Sequence, residues 1–516
     1  MTAKKTVKKT VSKQVTKPVK KPVNKAAEQT DAPTDASMFK AHVDTSRMQT
    51  NQPDADALVL FGATGDLAVR KLFPALYRLE RSGTLKVPVI GVARSEWTDD
   101  DFRQHARDSI AEHIDDPDPT VIDSLCKRLD LVQGDYADEN TWNSLRETLD
   151  RHNSLVAVFY MAIPPGMFPV VAQKLASVDL HQRGRIVVEK PFGRDLQSAI
   201  ELNKTLHDVF AEDHIFRIDH YLGKESVEDL LVFRFANTLI EPVWNRNYVR
   251  SVQVTMSETL DVEGRGSFYE GVGAIRDVFQ NHLLQVISLL AMEPPAGADS
   301  GFLQDEKAKV FAAMRPIEPD ALVRGQYVGY RDEPGVDPES NVETFAAARL
   351  EIDSWRWAGV PWYVRVGKAM AQSATEAVIE LREPPRMLFD ESGGPPPGRN
   401  LIRLRLGSND GVTFALQAKT PGPDLDSQEV DVDVDFAAAL GERQDAYERL
   451  LGDALIGSLR RFARQDIVEG TWRVVQPALD NPGAVVPYFR GSWGPADADD
   501  ILVNDDTWFL PTPDRE

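Results

Sequence analysis

The chain reads as polar and aperiodic up to about Asp54, and a regular apolar pattern begins at Ala57. ALVLFGATGDL is a short, continuous apolar run, a buried strand that leads into a glycine-containing turn. VRKLFPALYRLERSG follows as a helix, with Leu72, Leu76 and Leu79 at helical spacing and Gly83 as its stop. A second buried strand is predicted at VPVIGVAR (87–94), and two more at LVAVFYMAIPP (155–165) and GRIVVEKPFG (184–193). Helical segments such as FPVVAQKLASV lie between them. Short apolar strands alternating with helices predict an α/β, Rossmann-type doubly wound parallel sheet.

After about residue 220 the texture changes. Strand-like runs occur at 249–258, 360–368, 376–381, 400–407, 411–419 and 429–436, and several alternate apolar with polar residues. Val430, Val432, Val434 and Phe436 against aspartates show this most cleanly, a pattern of sheets with one wet face, usually antiparallel. Helices are predicted over 268–292 and 444–465. The expected division is an arm over 1–54, the Rossmann-type domain over 55–219, and an α+β domain with a large, mainly antiparallel sheet over 220–516.

Composition narrows the setting. With 516 residues, 42% of them hydrophobic, the chain can build two or three cores. Cys126 is the sole cysteine, so no intrachain disulfide can form; no Cys/His cluster suggests a metal, and a reducing cytoplasm fits. The longest apolar run, LLQVISLLAM (283–292), falls far short of the roughly 20 residues of a membrane span and reads as a buried helix segment. A net charge of −21 argues against a nucleic-acid surface on the folded domains. The first 25 residues reverse this charge, with nine lysines and no acid. They read as a disordered arm, either a solvated tail or an electrostatic contact for acidic surfaces.

Three stretches carry candidate chemistry. In FGATGDLA, Gly62 and Gly65 between strand and helix permit close backbone approach to a pyrophosphate, although GxxG followed by Asp66 is also an ordinary strand-to-helix turn. At the end of the second strand, where an NAD site carries an acid, the chain has Arg94 and then Ser95. An arginine there suits a 2′-phosphate; a solvated surface arginine is the alternative. RIDHYLGKE (217–225) gathers Asp219, His220, Tyr221 and Lys224 at the domain boundary, as a sugar-phosphate site or as a self-satisfied polar loop. His282 lies on the apolar stripe of EGVGAIRDVFQNHLLQVISLLAM, either as a core histidine or, given a carboxylate partner, as a base.

RIDHYLGKE closely resembles the active-site signature of the glucose-6-phosphate dehydrogenase family. FGATGDLA, GVAR, VVEKPFGRDL, RFAN, WNRN, EGRGSFYEGVGAIRDVFQNHLLQ, WRWAGVPWYVRVGK and GSWGP occur in the family's order, over roughly residues 57–495. The resemblance implies an NADP-binding domain followed by a substrate-binding and oligomerisation domain. The implied reaction is oxidation of D-glucose 6-phosphate at C1 to 6-phosphoglucono-1,5-lactone, feeding the oxidative pentose phosphate pathway. By the same resemblance His282 is the general base and Asp219 the carboxylate that orients it. His220, Tyr221, Lys224 and Lys368 are implied to bind substrate, Glu258 and Asp277 to hold sugar hydroxyls, and Lys190 to stand between cofactor and substrate. Gly62, Thr64, Gly65, Asp66 and Leu67 would form the cofactor turn, Arg94 the 2′-phosphate contact and Lys71 a phosphate contact. A homodimer or homotetramer is implied. The chain departs at Ser373, where many family members carry a second cation. A homologue with altered cofactor or sugar specificity and a non-catalytic dinucleotide or sugar-phosphate binder are the rival expectations.

Overall fold

The computed structural model describes residues 53–262, 264–385, 397–504 and 506–512. The lysine-rich arm expected over 1–54 lies, up to Gln52, outside the described residues. No helix among the described residues is long and apolar enough to cross a membrane.

Six strands form a parallel sheet: β1 (Ala57–Phe61), β2 (Val89–Ala93), β3 (Leu129–Gln133), β4 (Ala157–Met161), β5 (Arg185–Glu189) and β6 (Ile215–Ile218). Their order is β6-β5-β4-β1-β2-β3. The strands predicted from apolar runs are all present; β1, β2 and β4 are buried along their whole length. β3 and β6 were not anticipated. In β6, IFRI, the polar-looking Arg217 is fully buried because Glu212 accepts two of its hydrogen bonds, at 2.7 and 3.0 Å. Such pairing and hydrogen bonding allow a core strand to carry a charge. Strand order reverses between β1 and β4, the crevice where open α/β sheets place their ligands.

The second sheet begins with β7 (Val249–Ser257), β8 (Leu322–Tyr327), β9 (Phe345–Leu350) and β10 (Trp362–Gly367). It continues with β11 (Ala374–Leu381), β12 (Leu401–Arg405), β13 (Gly411–Lys419) and β14 (Ser427–Asp435). β15 (Phe462–Ala463) returns to the first sheet, antiparallel to β6, whereas β16 (Val485–Tyr488) pairs with β8. The order of the second sheet is β14-β13-β12-β11-β7-β10-β9-β8-β16, antiparallel except for the β7/β10 and β8/β16 pairs. The alternation in β14 does not bury its valines: Val430, Val432 and Val434 are exposed on the terminal strand, and Phe436 opens a short helix. Helix Ala446–Ile456 stops earlier than expected, at Gly457 in the left-handed conformation, and packs with β15 on the first sheet's core.

The helix expected over 268–292 divides in two. Gly266–Tyr269 is one turn; the chain bends at Gly273 (φ +68°) and resumes helically over Ile275–Leu283 and Leu284–Ala291. All eight residues of the last segment are buried. A buried helix end must satisfy its final carbonyls from elsewhere. Here Arg234 donates to Leu289 O (2.8 Å), the Trp244 indole to Leu290 O (2.8 Å), and the Trp357 indole to Ala291 O (2.7 Å). The motifs RFAN, WNRN and WRWAGVP therefore cap the helix that carries His282, and the Arg234 cation also complements its dipole. Trp357→Phe keeps the ring but orphans a buried carbonyl; equilibrium denaturation is expected to show a loss of about 1–3 kcal/mol. Unchanged stability would contradict this capping.

Candidate active site

Strand β6 ends at Ile218, and Asp219 follows as the N-cap of a single helical turn, accepting from the Tyr221 amide at 3.0 Å. The same oxygen, Oδ1, accepts a hydrogen bond from His282 Nδ1 across the two parts of the chain. Both residues are only 3% exposed. Burial opposes the charge on Asp219, but the charge and hydrogen bond of His282, with help from His220 and Lys190, hold its carboxyl well below the usual range. Burial likewise pushes the His282 imidazole down, against the pull of Asp219. The pair at neutral pH is therefore carboxylate and neutral imidazole, with the proton on Nδ1 and a lone pair on Nε2. That lone pair faces Lys190, whose Nζ donates to it at 3.0 Å.

Lys190 follows the end of β5 and its peptide bond to Pro191 is cis. Its ammonium also reaches Asp277, at the backbone oxygen (2.9 Å) and at Oδ1 (3.3 Å). Residues five apart diverge by roughly 140° in a regular α-helix. Ile275–Leu283 instead runs in wider, π-type turns, which bring Asp277 and His282 round to one lysine. Burial raises Asp277, but Lys190, Lys368 and His282 outweigh it and keep the carboxyl ionised.

Around this centre lies a cavity of about 240 Å³ lined by Lys190, His220, Tyr221, Lys224, Glu258, Asp277, His282 and Lys368. The structure thus gathers every substrate and catalytic residue expected from the sequence. The Tyr221 ring stacks on the His282 ring at 4.3 Å, and Lys224 Nζ sits 3.7 Å from the centre of the Tyr221 ring. Burial lowers Lys224 and holds His220 well below the ordinary imidazole value, so His220 is neutral. Lys368 Nζ donates to Glu258 Oε2 at 2.7 Å. Ser373 is engaged with Thr259, accepting from its amide at 2.9 Å. Ligand-capable atoms, one each from Asp219, His220 and His282, lie within 4.8 Å of one another, and Asp219 and His282 are joined directly by a hydrogen bond.

The glycine turn sits apart, at the switch point of the first sheet. Gly62 has φ +77°, and an added Cβ would lie 2.1 Å from Ala162 O, after β4. No side chain fits, so bare backbone lines the crevice, as a pyrophosphate requires. The Gly62 amide donates to Tyr136 Oη (2.8 Å) and Val92 O (3.1 Å). Thr64 accepts from Ser95 Oγ at 3.3 Å, linking the turn to the end of β2. Arg94 is solvent-exposed there, with Asp135 3.8 Å away. Asp66 pairs with Arg70 at 2.7 Å, and Lys71 is exposed on the helix that follows the turn. These residues fit a dinucleotide carrying a 2′-phosphate.

Sequence reasoning missed several neighbours. Arg265, Phe268 and Tyr269 line the cavity from the GRGSFY turn, a motif quoted for its resemblance without a residue being singled out. Glu189, beside Lys190, is pushed up to about 7 by burial while accepting from Tyr160 Oη at 2.5 Å and from Tyr447. Nothing in the local sequence separates it from a surface glutamate.

A parallel nucleotide-type sheet, a glycine turn at its switch point and an Asp–His pair beside a cavity lined by lysines and carboxylates define a dinucleotide-dependent oxidoreductase. Residues 59–229 match the family described as Glucose-6-phosphate dehydrogenase, NAD binding domain, and residues 231–509 match Glucose-6-phosphate dehydrogenase, C-terminal domain. The chain belongs to the glucose-6-phosphate dehydrogenase family. It is 45% identical over 459 residues to glucose-6-phosphate 1-dehydrogenase 1 of Mycobacterium tuberculosis, covering 89% of this chain and 97% of the relative. The crystal structure of glucose-6-phosphate 1-dehydrogenase from Mycobacterium avium superposes with a TM-score of 0.84 at 42% identity, over 90% of this chain and all of that one. A glucose-6-phosphate dehydrogenase solved in complex with its substrate glucose-6-phosphate gives 0.82 at 34% identity, with the same coverage.

Because the Lys190 charge depresses His282, Lys190→Met is expected to move the His282 titration midpoint upward, as followed by NMR of the ring protons. An unmoved or lowered midpoint would contradict the contact between Lys190 and Nε2.

Proposed function

We propose that this chain oxidises β-D-glucose 6-phosphate at C1 to 6-phosphoglucono-1,5-lactone with NADP, the first step of the oxidative pentose phosphate pathway. The observation that carries the reading is the lone pair of His282 Nε2, turned into a cavity whose other walls are cations and hydroxyl-binding carboxylates. Support also comes from a relative of the same fold whose complex holds glucose 6-phosphate.

Losing two electrons at an alcohol carbon requires removal of a proton from oxygen and a hydride from carbon. His282 takes the C1 hydroxyl proton on Nε2, and Asp219 stabilises the imidazolium that results through the Nδ1–H bond. Lys190 donates to Nε2, so the arriving hydroxyl replaces it and Lys190 turns toward the C1 oxygen while keeping Asp277. Lys224, Tyr221 and His220 bind the phosphate, which is retained in the lactone and anchors the sugar throughout. Glu258 and Asp277 accept from sugar hydroxyls, with Lys368 fixing Glu258. Gly62, Thr64, Gly65, Asp66 and Leu67 would hold the NADP pyrophosphate, Arg94 its 2′-phosphate, and Lys71 a further phosphate oxygen. The chemistry that NADP supplies when bound is acceptance of the hydride.

The proposed division keeps 55–219 for the cofactor and 220–516 for substrate and assembly. The exposed Val430, Val432 and Val434 on the terminal strand β14 suit a homodimer or a dimer of dimers, since an uncovered apolar face on a terminal strand invites a copy of itself. One buried free cysteine suits the cytoplasm.

An absorbance assay of reduced nicotinamide with glucose 6-phosphate and NADP tests the reading; no turnover from folded protein would favour a binding-only role. His282→Asn is expected to lower kcat by about 10²–10⁴ while sparing substrate binding. Since the His282 midpoint is depressed, its base form persists below the ordinary imidazole value, and the acid limb of kcat/KM is expected below pH ~6.5. Arg94→Ala is expected to cut kcat/KM roughly 10–100-fold with NADP and little with NAD. Equal losses would remove the 2′-phosphate assignment of Arg94.

A further inference from the structure

One buried charge stands outside this chemistry. Lys307 lies on helix Ser300–Ala313 and is 1% exposed, with no hydrogen bond or ion pair to a described residue. Glu306 beside it is also buried, at 8% exposure, but pairs with Lys309 at 2.7 Å. A buried ammonium without a partner is costly and is retained only where something offsets it.

The helix is seated by Gln304, one turn before Lys307, which donates to Phe462 O at 2.8 Å and Leu459 O at 3.3 Å. Phe462 belongs to β15 and pairs with Ile218, the residue immediately before Asp219. This face of the helix is therefore tied through β15 to the end of β6. Asp219 uses Oδ1 for His282, whereas Oδ2 is buried and receives no donor among the described residues. Gln285, three residues beyond His282 on a helix packed against Ser300–Ala313, also has a buried Oε1 without a donor. Burial lowers the Lys307 ammonium, and the carboxylate charge of Asp219 pulls the other way.

We propose that Lys307 is a positioning residue for the base pair, a buried counter-charge that acts on the far side of the Asp219 carboxylate through one bridging water, and so sets the proton affinity of His282. The inference rests on reading Asp219 and His282 as the base pair. Burial pushes Lys307 down to about 8, still charged for the most part at neutral pH. Its field acts together with the other groups around the pair. These are Glu189 at the end of β5 and Lys190 after it, His220, Tyr221 and Lys224 after β6, Asp277 on the His282 helix, and Tyr447 on helix Ala446–Ile456. A cation near His282 disfavours the imidazolium; removing it makes His282 easier to protonate.

The test uses Lys307→Met and Lys307→Gln in the full chain. The acid limb of kcat/KM is expected to move up by roughly half to one pH unit in both, with the alkaline plateau altered far less. A limb unmoved in folded, active variants overturns the proposal while leaving the His282 reading intact. A second measurement needs neither Lys307 variants nor activity. In Asp219→Asn the buried Lys307 cation loses its counter-charge, so its proton affinity in the fold drops further below the unfolded value. Between those values the unfolded chain binds more protons, and folded stability rises with pH. The Tm deficit of Asp219→Asn against wild type is therefore expected to shrink from pH 7 to pH 9. A deficit that stays constant over that range contradicts the coupling.

Discussion

The hydrogen bond between Asp219 and His282 joins the end of a parallel strand to a helix of the other domain, with both partners out of water. Leaving either one alone would strand a buried charge or a buried polar ring, a cost on the order of 3–5 kcal/mol for an ion. Much of the surrounding architecture keeps that contact in register. β15 returns from far along the chain to flank β6, and Arg234, Trp244 and Trp357 fix the end of the helix. The wide turns of Ile275–Leu283 present His282 and Asp277 together.

The same contact sets the distance between the two halves of the proposed chemistry. The turn at Gly62 lies at the strand-order reversal of the first sheet, and Lys190 leaves the end of β5, two strands away. A sugar held by Lys224 and Tyr221 would have C1 beside His282, on the side where the first sheet offers its crevice. Lys190 touches both carboxylate and imidazole, and its exchange of partners is the one rearrangement the mechanism asks of the chain.

The parallel strands and the glycine turn were legible because continuous apolar runs bounded by glycine leave few other readings. β6 and β8 were not, since Arg217 and Arg324 look like solvent residues until Glu212 and Glu343, distant or across a loop, are seen to neutralise them. The two helical predictions overran for local reasons, left-handed glycines at Gly273 and Gly457. His282 could be suspected from its place on an apolar stripe, but its partner lies 63 residues away and only the fold brings them together. Lys190, Glu258 and Lys368 were visible through family resemblance alone. Lys307 was invisible to both: between Glu306 and Lys309 it reads as part of a charged run, and only the packing of its helix against Gln465–Asp480 and Leu284–Ala291 buries it.

The most direct measurement is a crystal structure of the chain with glucose 6-phosphate bound. The account requires the C1 hydroxyl within about 2.6–3.2 Å of His282 Nε2, with Lys190 displaced from that nitrogen and the phosphate against Lys224 and Tyr221. A sugar bound in the same cavity with C1 turned away, and Lys190 still on Nε2, would contradict it.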